Sequence, residues 1–214
     1  MIKLKVSELF FSLQGEGPLV GCPTFFIRVF GCNLDCKWCD TPYAKKKEKG
    51  YLEIEIQEII NLWKREYPEI PYITITGGEP LLQKEVYFLI ENLLSKKAVI
   101  CLETNGSLSV EKVPEEVIKI VDLKPPSSGM ERFNFYENLN FLSKKDVLKF
   151  VIQNRKDFNW ALNKIEEFRI FEITQVFFSP AAPFLTPQTL AQWILETKKP
   201  IRFQFQLHKF LNLK

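Results

Sequence analysis

Three of the chain's five cysteines, Cys32, Cys36 and Cys39, fall in the spacing Cys-x3-Cys-x2-Cys. Thiolates that close converge on one metal centre, but they are one short of the four ligands of a closed structural zinc site. Cys22, Cys101 and His208, the sole histidine, are the candidates for a fourth. Alternatively, three thiolates on one loop hold three irons of a [4Fe–4S] cluster and leave the fourth iron open to a small molecule. Ordinary buried cysteines, or zinc ligands, are the competing readings. A second feature, Gly77-Gly78-Glu79-Pro80, follows the apolar run Tyr72–Thr76. Glycines there either let backbone approach a ligand closely or simply turn the chain after a strand.

These residues need a scaffold. The chain has 214 residues, 46% apolar and 14% aromatic, which suffices for a sizeable core and argues against disorder. Twenty-nine basic and 26 acidic side chains give a net charge of +3, too near balance for a protein that lives on nucleic acid, although a charged substrate is compatible. Lys45-Lys46-Lys47 reads as a solvated loop. No apolar run approaches the roughly 20 residues of a membrane span, and the N-terminus lacks the pattern of a signal peptide. A cytoplasmic protein is expected, and the cysteine usage suits a reducing compartment.

Apolar runs alternate with amphipathic stretches, the pattern of strand–helix units around a mostly parallel sheet. After a short extended lead around Lys5–Phe11, the strands expected are Thr24–Phe30, Tyr72–Thr76, Ala98–Glu103, Ile118–Leu123, Val147–Ile152, Val176–Ser179 and Ile201–Leu207, about seven in all. Helices are expected near Ile54–Glu66, Leu82–Ser95, Phe158–Phe168 and Thr189–Lys198, the first because Ile56, Ile59, Ile60 and Trp63 recur at helical spacing. From Lys124 to Lys145 the pattern fails, giving a loop of about 20 residues with one helix at most, a length often tied to function. One domain over residues 1–214 is the expectation.

The cysteine spacing, with Trp38 just before the last cysteine, resembles the signature of the radical S-adenosylmethionine (SAM) enzymes, and Gly77–Pro80 resembles their SAM-binding GGEP motif. Within that superfamily, Leu13-Gln14-Gly15-Glu16-Gly17, Cys39-Asp40-Thr41, Glu103-Thr104-Asn105-Gly106 and the tail Gln206–Asn212 resemble the 7-carboxy-7-deazaguanine synthase family, from about residue 7 to the end. The resemblance implies an abbreviated, partial (β/α) TIM-like barrel of the α/β class. It implies conversion of 6-carboxy-5,6,7,8-tetrahydropterin to 7-carboxy-7-deazaguanine, on the route to queuosine and other deazapurines. The steps would be hydrogen abstraction at C6, ring contraction, hydrogen return and loss of ammonia.

The cofactors implied are a [4Fe–4S] cluster on Cys32, Cys36 and Cys39, SAM, and Mg²⁺ at Thr41, whose alternative role is to cap a helix. For the substrate the resemblance points to Leu13, Gln14, Gly15, Glu16, Arg28, Thr76 and Lys214. Arg28 lies inside an apolar run and could hold a carboxylate through two parallel hydrogen bonds, which lysine cannot reproduce. Its alternative is an arginine paired with a neighbouring carboxylate. For SAM the resemblance points to Trp38, Asp40, Gly78, Glu79, Asp122, Leu123, Lys124, Ser179, Pro180 and Ala181, all at strand C-terminal ends or in the loops beyond. Ser179-Pro180 and Asp122-Leu123 depart from the family pattern, so contacts there are expected from backbone. A homodimer and an electron donor such as flavodoxin or ferredoxin are also implied. The rivals are a glycyl-radical-enzyme activase of the same superfamily and, from another class, a non-catalytic zinc-binding module.

Overall fold

The computed structural model describes residues 2–45 and 50–214. Lys46 and Lys47, two of the three lysines read as a solvated loop, lie outside the described residues. Among the described residues nine strands form one sheet: β1 (Lys3–Leu13), β2 (Pro23–Val29), β3 (Leu52–Glu55), β4 (Tyr72–Gly77), β5 (Val99–Thr104), β6 (Ile118–Asp122), β7 (Val147–Ile152), β8 (Gln175–Pro180) and β9 (Ile201–Phe203). Their order is β3-β1-β2-β4-β5-β6-β7-β8-β9. The pairings from β2 through β4 to β9 are all parallel, whereas β1 runs antiparallel to both β2 and β3. The two ends of the row do not pair, so the sheet is an open, partial barrel.

Four of the six parallel crossovers carry an α-helix, namely α1 (Ile56–Glu66), α2 (Glu85–Ser95), α3 (Arg155–Glu167) with α4 (Ile170–Ile173), and α5 (Pro187–Thr197). Helix α1 buries the expected Ile56, Ile59, Ile60 and Trp63 against the sheet. Asn154 caps α3, accepting from the Lys156 and Asp157 amides at 2.9 and 3.1 Å. The crossover from β5 to β6 is a plain loop, and that from β6 to β7 contains three 3₁₀ turns and no α-helix.

The differences from expectation are local. The extended lead is an 11-residue strand, β1, because its partner β2 fixes it by pairing from Val6↔Val29 to Leu13↔Pro23. Strand β3 escapes the pattern because Leu-Glu-Ile-Glu is short and half charged and is held by β1 alone. The strand expected over Ile201–Leu207 stops at Phe203, and residues Leu207–Phe210 form a helical turn, α6.

Strand alternation sorts the side chains into two layers. Outward residues such as Ile73, Ile75, Ile100, Leu102, Leu148, Phe150 and Phe178 form the main core with the helices. Inward, Cys101, Ile120, Val147 and Phe177 make a small apolar floor, covered by Leu19. Two residues further along the same four strands stand Glu103, Asp122, Lys149 and Ser179. An apolar floor beneath a polar layer therefore follows from period two in the sequence.

Candidate active site

The cysteine loop follows β2 directly and is braced from two sides. Gly31 donates its amide to Ala44 O at 2.7 Å, and its carbonyl accepts from the Glu79 amide at 2.8 Å. A Cβ on Gly78 would lie 2.1 Å from Gly31 O and 2.8 Å from Cys32 Cβ, while Gly77 has φ +144° and no room beside Val29 O. The turn after β4 thus lies backbone to backbone against the cysteine loop, which only glycine allows. On the other side the Lys37 amide donates to Ser128 O at 3.2 Å, so the long segment after β6 supports the loop.

Cys32, Cys36 and Cys39 are free thiols. Burial pushes the Cys36 thiol up, and Lys124 opposes that shift. Cys101 lies in the barrel floor with Cys22 nearby, at the opposite end of the strands, and His208 packs against Gly15. Among the described residues no three His, Cys, Asp or Glu side chains gather as they would around a single ion. Three loop thiols with no fourth protein donor are the donor set that suits a cluster with one open iron.

Glu79 is fully buried and works inside the scaffold. Its carboxylate accepts from the Leu81 amide at 3.0 Å, from Thr104 Oγ1 at 2.9 Å and from the Asn105 amide at 2.7 Å. Burial raises its pKa, and these donors counter the rise. The Glu79 side chain, within the motif assigned to SAM, therefore fixes the turn to the end of β5. Asp40 accepts from Gln206 Nε2 at 2.9 Å and Lys209 Nζ at 3.0 Å. Burial would raise its pKa, but those partners bring it down to about 2. Thr41 precedes a 3₁₀ turn without capping it through its hydroxyl. Trp38 is half-buried on the same loop.

The polar layer collects the predicted substrate residues. Gln14 Nε2 donates to Thr74 Oγ1 at 2.8 Å and to Glu103 Oε1 at 3.4 Å, and Thr76 Oγ1 donates to Glu103 Oε2 at 2.8 Å. Glu16 pairs with Lys149 and accepts from Gln204 Nε2 at 2.9 Å and Gln206 Nε2 at 2.7 Å. Burial opposes its ionisation, yet the Lys149 charge wins and holds the Glu16 carboxyl below its ordinary value. Glu103 goes the other way, raised by burial and then by the charge of Glu16. Burial would lower the Lys149 pKa, but Glu16, Asp122 and Glu103 raise it.

Arg28 pairs through Nε with Glu8 Oε1 at 2.8 Å, and Tyr43 Oη and Lys214 Nζ each bond Glu8 at 2.7 Å. The guanidinium lies over the Phe10 ring at 5.5 Å, and Phe10 stacks on Phe26 at 4.7 Å. The alternative for Arg28, a carboxylate neighbour, is realised at Nε; among the described residues nothing bonds its terminal nitrogens. Residues Gln204–Lys214 meanwhile cross from the β9 edge toward β1, with Gln204 Oε1 accepting from the Gly17 amide at 2.6 Å and the Leu207 amide donating to Gly15 O at 3.2 Å. The tail thus covers the barrel's open side.

Around the strand ends assigned to SAM, Asp122 accepts from Lys124 Nζ at 2.8 Å through one oxygen. The other, Oδ1, is buried without a partner, as is Gln153 Oε1 beyond β7. Two orphaned buried acceptors at neighbouring strand ends fit a bound ligand that brings donors. Leu123 points into the main core, so only its main chain can serve a ligand. Ser179 Oγ accepts from Gln204 at 3.2 Å, and Ala181 donates its amide to Ile152 O at 2.8 Å, with Pro180 between them.

The family profile described as the radical SAM superfamily matches residues 26–192. The 7-carboxy-7-deazaguanine synthase of Chlorobaculum tepidum is 35% identical over 211 residues, 97% of this chain and 94% of that protein. The enzyme of the same name from Clostridium acetobutylicum is 38% identical over 213 residues, 97% and 95% of the two chains. The chain belongs to the 7-carboxy-7-deazaguanine synthase family of the radical SAM superfamily. The fold agrees, since the crystal structure of QueE from Escherichia coli superposes with a TM-score of 0.78 at 20% identity, covering 97% of this chain and 96% of that one. Radical SAM membership implies a [4Fe–4S] cluster and SAM, which the loop thiols and the orphaned acceptors suit. Among the described residues no helix is long and apolar enough to cross a membrane.

Sequence reasoning missed Lys149 and Gln204 and gave Glu103 and Gln206 no role. For Lys149 the signal was present: a lone charge on an inward position of the apolar strand Val-Leu-Lys-Phe-Val-Ile, the same sign that marked Arg28.

Proposed function

We propose that this chain is a cytoplasmic 7-carboxy-7-deazaguanine synthase, one radical SAM domain over residues 1–214. It converts 6-carboxy-5,6,7,8-tetrahydropterin to 7-carboxy-7-deazaguanine with ring contraction and loss of ammonia. The observation that carries the reading is the polar layer, where Arg28, an ionised Glu16 and the amide of Gln14 are held on the elements that lead into the cysteine loop and the tail. When bound, the cluster and SAM supply one-electron chemistry and a hydrogen-abstracting radical.

Cys32, Cys36 and Cys39 hold the cluster. SAM is framed by the main chain at Gly78, Leu123 and Ala181, by Trp38, Asp40, Ser179 and Pro180, and by the free oxygen of Asp122, whose Lys124 partner fixes it; Glu79 keeps the turn in place. Gln14 and Glu16 read the donor and acceptor edge of the pterin, with Leu13 and Gly15 shaping that wall and Thr76 bordering it. Arg28 takes the substrate carboxylate through its two terminal nitrogens, with Glu8 fixing the plane of the guanidinium. Lys214 closes the near side, and the Thr41 hydroxyl binds Mg²⁺. A small reductant protein such as flavodoxin or ferredoxin supplies electrons, and the enzyme works as a homodimer.

The test is anaerobic turnover of reconstituted protein with SAM, dithionite, Mg²⁺ and the pterin, following product by mass spectrometry. Product is expected, and it disappears in Arg28→Ala while slow SAM cleavage persists. SAM cleavage without product in the native enzyme refutes the substrate and moves the activase reading forward.

A further inference from the structure

The end of β5 carries a side chain to which the proposed chemistry assigns no role. Asn105 is buried, and its Nδ2 lies 3.7 Å from Cys32 Sγ and 3.0 Å from Asn33 Oδ1. The other end of the amide is fully engaged, since Oδ1 accepts from the Ser107 amide at 3.0 Å and from Ser107 Oγ at 2.6 Å. Those two donors decide which end is oxygen, so the nitrogen must face the sulfur. The backbone is fixed as well, because the Asn105 amide donates to the buried carboxylate of Glu79 at 2.7 Å. Among the described residues no other side chain donates to Cys32, Cys36 or Cys39.

We infer that Asn105 is a positioning residue that tunes the reduction potential of the iron–sulfur cluster through an N–H bond to the Cys32 sulfur. This inference rests on the cluster reading above. A donor aimed at a ligating sulfur stabilises the more negative, reduced cluster and so raises its potential, an effect of the surrounding hydrogen bonds on the metal centre. The Glu79–Asn105 link also joins the turn after β4 to that sulfur, so the residue that fixes the turn orients the donor.

The test is an EPR-monitored redox titration of the reconstituted full chain without SAM, alongside iron and sulfide analysis. Asn105→Ala and Asn105→Asp are expected to lower the potential, the ratio of reduced to oxidised cluster falling about tenfold at fixed potential, ~59 mV for a one-electron couple. The aspartate keeps the acceptor for Ser107 but has no donor for the sulfur. Asn33→Ala removes the other contact of the same amide and should leave the potential unchanged, which a mere tether between loops would not predict. Native potentials in both Asn105 variants at native iron content overturn the inference.

If both variants lose the cluster, the decision passes to Asn33→Ala protein labelled with ¹⁵N in its asparagine side chains. Pulsed EPR of its reduced cluster should then show a ¹⁵N coupling, and absence of one overturns the inference. Failure of the native chain to take up iron and sulfide refutes the cluster reading, and this inference falls with it.

Discussion

The floor of the barrel and the layer above it are built by the same strands two residues apart, and they obey different rules. Cys101, Ile120, Val147 and Phe177 are held chiefly by close packing, with the Arg202 guanidinium over the Phe177 ring at 4.5 Å. Glu103, Asp122, Lys149 and Ser179 are held by charge and hydrogen bonds, without which burying them would be costly. Two carboxylates in that layer diverge: Lys149 overcomes burial and keeps Glu16 ionised, whereas burial and then the charge of Glu16 push Glu103 toward its neutral form. Two residues along a strand separate the apolar part of the barrel from its polar part.

The sharpest way to break the comparison is Lys149→Met. It leaves Glu16 buried without its cation and should destabilise the chain by about 3–5 kcal/mol in urea unfolding. Adding Glu16→Gln should recover most of that loss, since the double variant buries no unpaired charge. Because the Glu16 carboxyl is held low in the folded state, its contribution is present above its unfolded pKa of about 4.3 and fades as pH falls below it. Glu16→Gln should therefore flatten the acid limb of a stability–pH curve; an unaltered limb would refute the pairing.

Gln204→Leu comes next. It strands the Gly17 amide and removes donors from Glu16 and Ser179, for a loss of about 1–3 kcal/mol read by the same unfolding curves. In the floor, Ile120→Val should cost only about 0.5–1.5 kcal/mol and leave turnover near native, because only volume changes there. At the surface, Glu172→Gln breaks the exposed pair with Arg169 and should shift stability by about 0.5 kcal/mol at most.

Much of this was legible in the sequence. Strands Val147–Ile152 and Tyr72–Gly77 stand out because β-branched and aromatic runs end in turn residues, and α1 because its apolar residues share one face. The edge strand β3 does not, since four residues with two glutamates become a strand only when β1 lies alongside. The cysteine loop was legible because its chemistry is local. The Glu16–Lys149–Gln204–Gln206 set was not, because it joins residues up to 190 positions apart: Glu16 and Gln206 sit in two separate motifs, and Lys149 and Gln204 in none. At Glu79 the motif was legible but the partners of its side chain were not, because Thr104 and Asn105 lie some 25 positions further along the chain.

The contact of Gly78 with Gly31 has a mechanical consequence. The two backbones touch where a Cβ would have no room, and the Glu79 amide bonds Gly31 O at 2.8 Å, so shifting one loop against the other must break that bond or force a clash. The two segments therefore move as one stiff plate on the sheet rim. A ligand gripped by one loop and a group gripped by the other would thereby keep their separation.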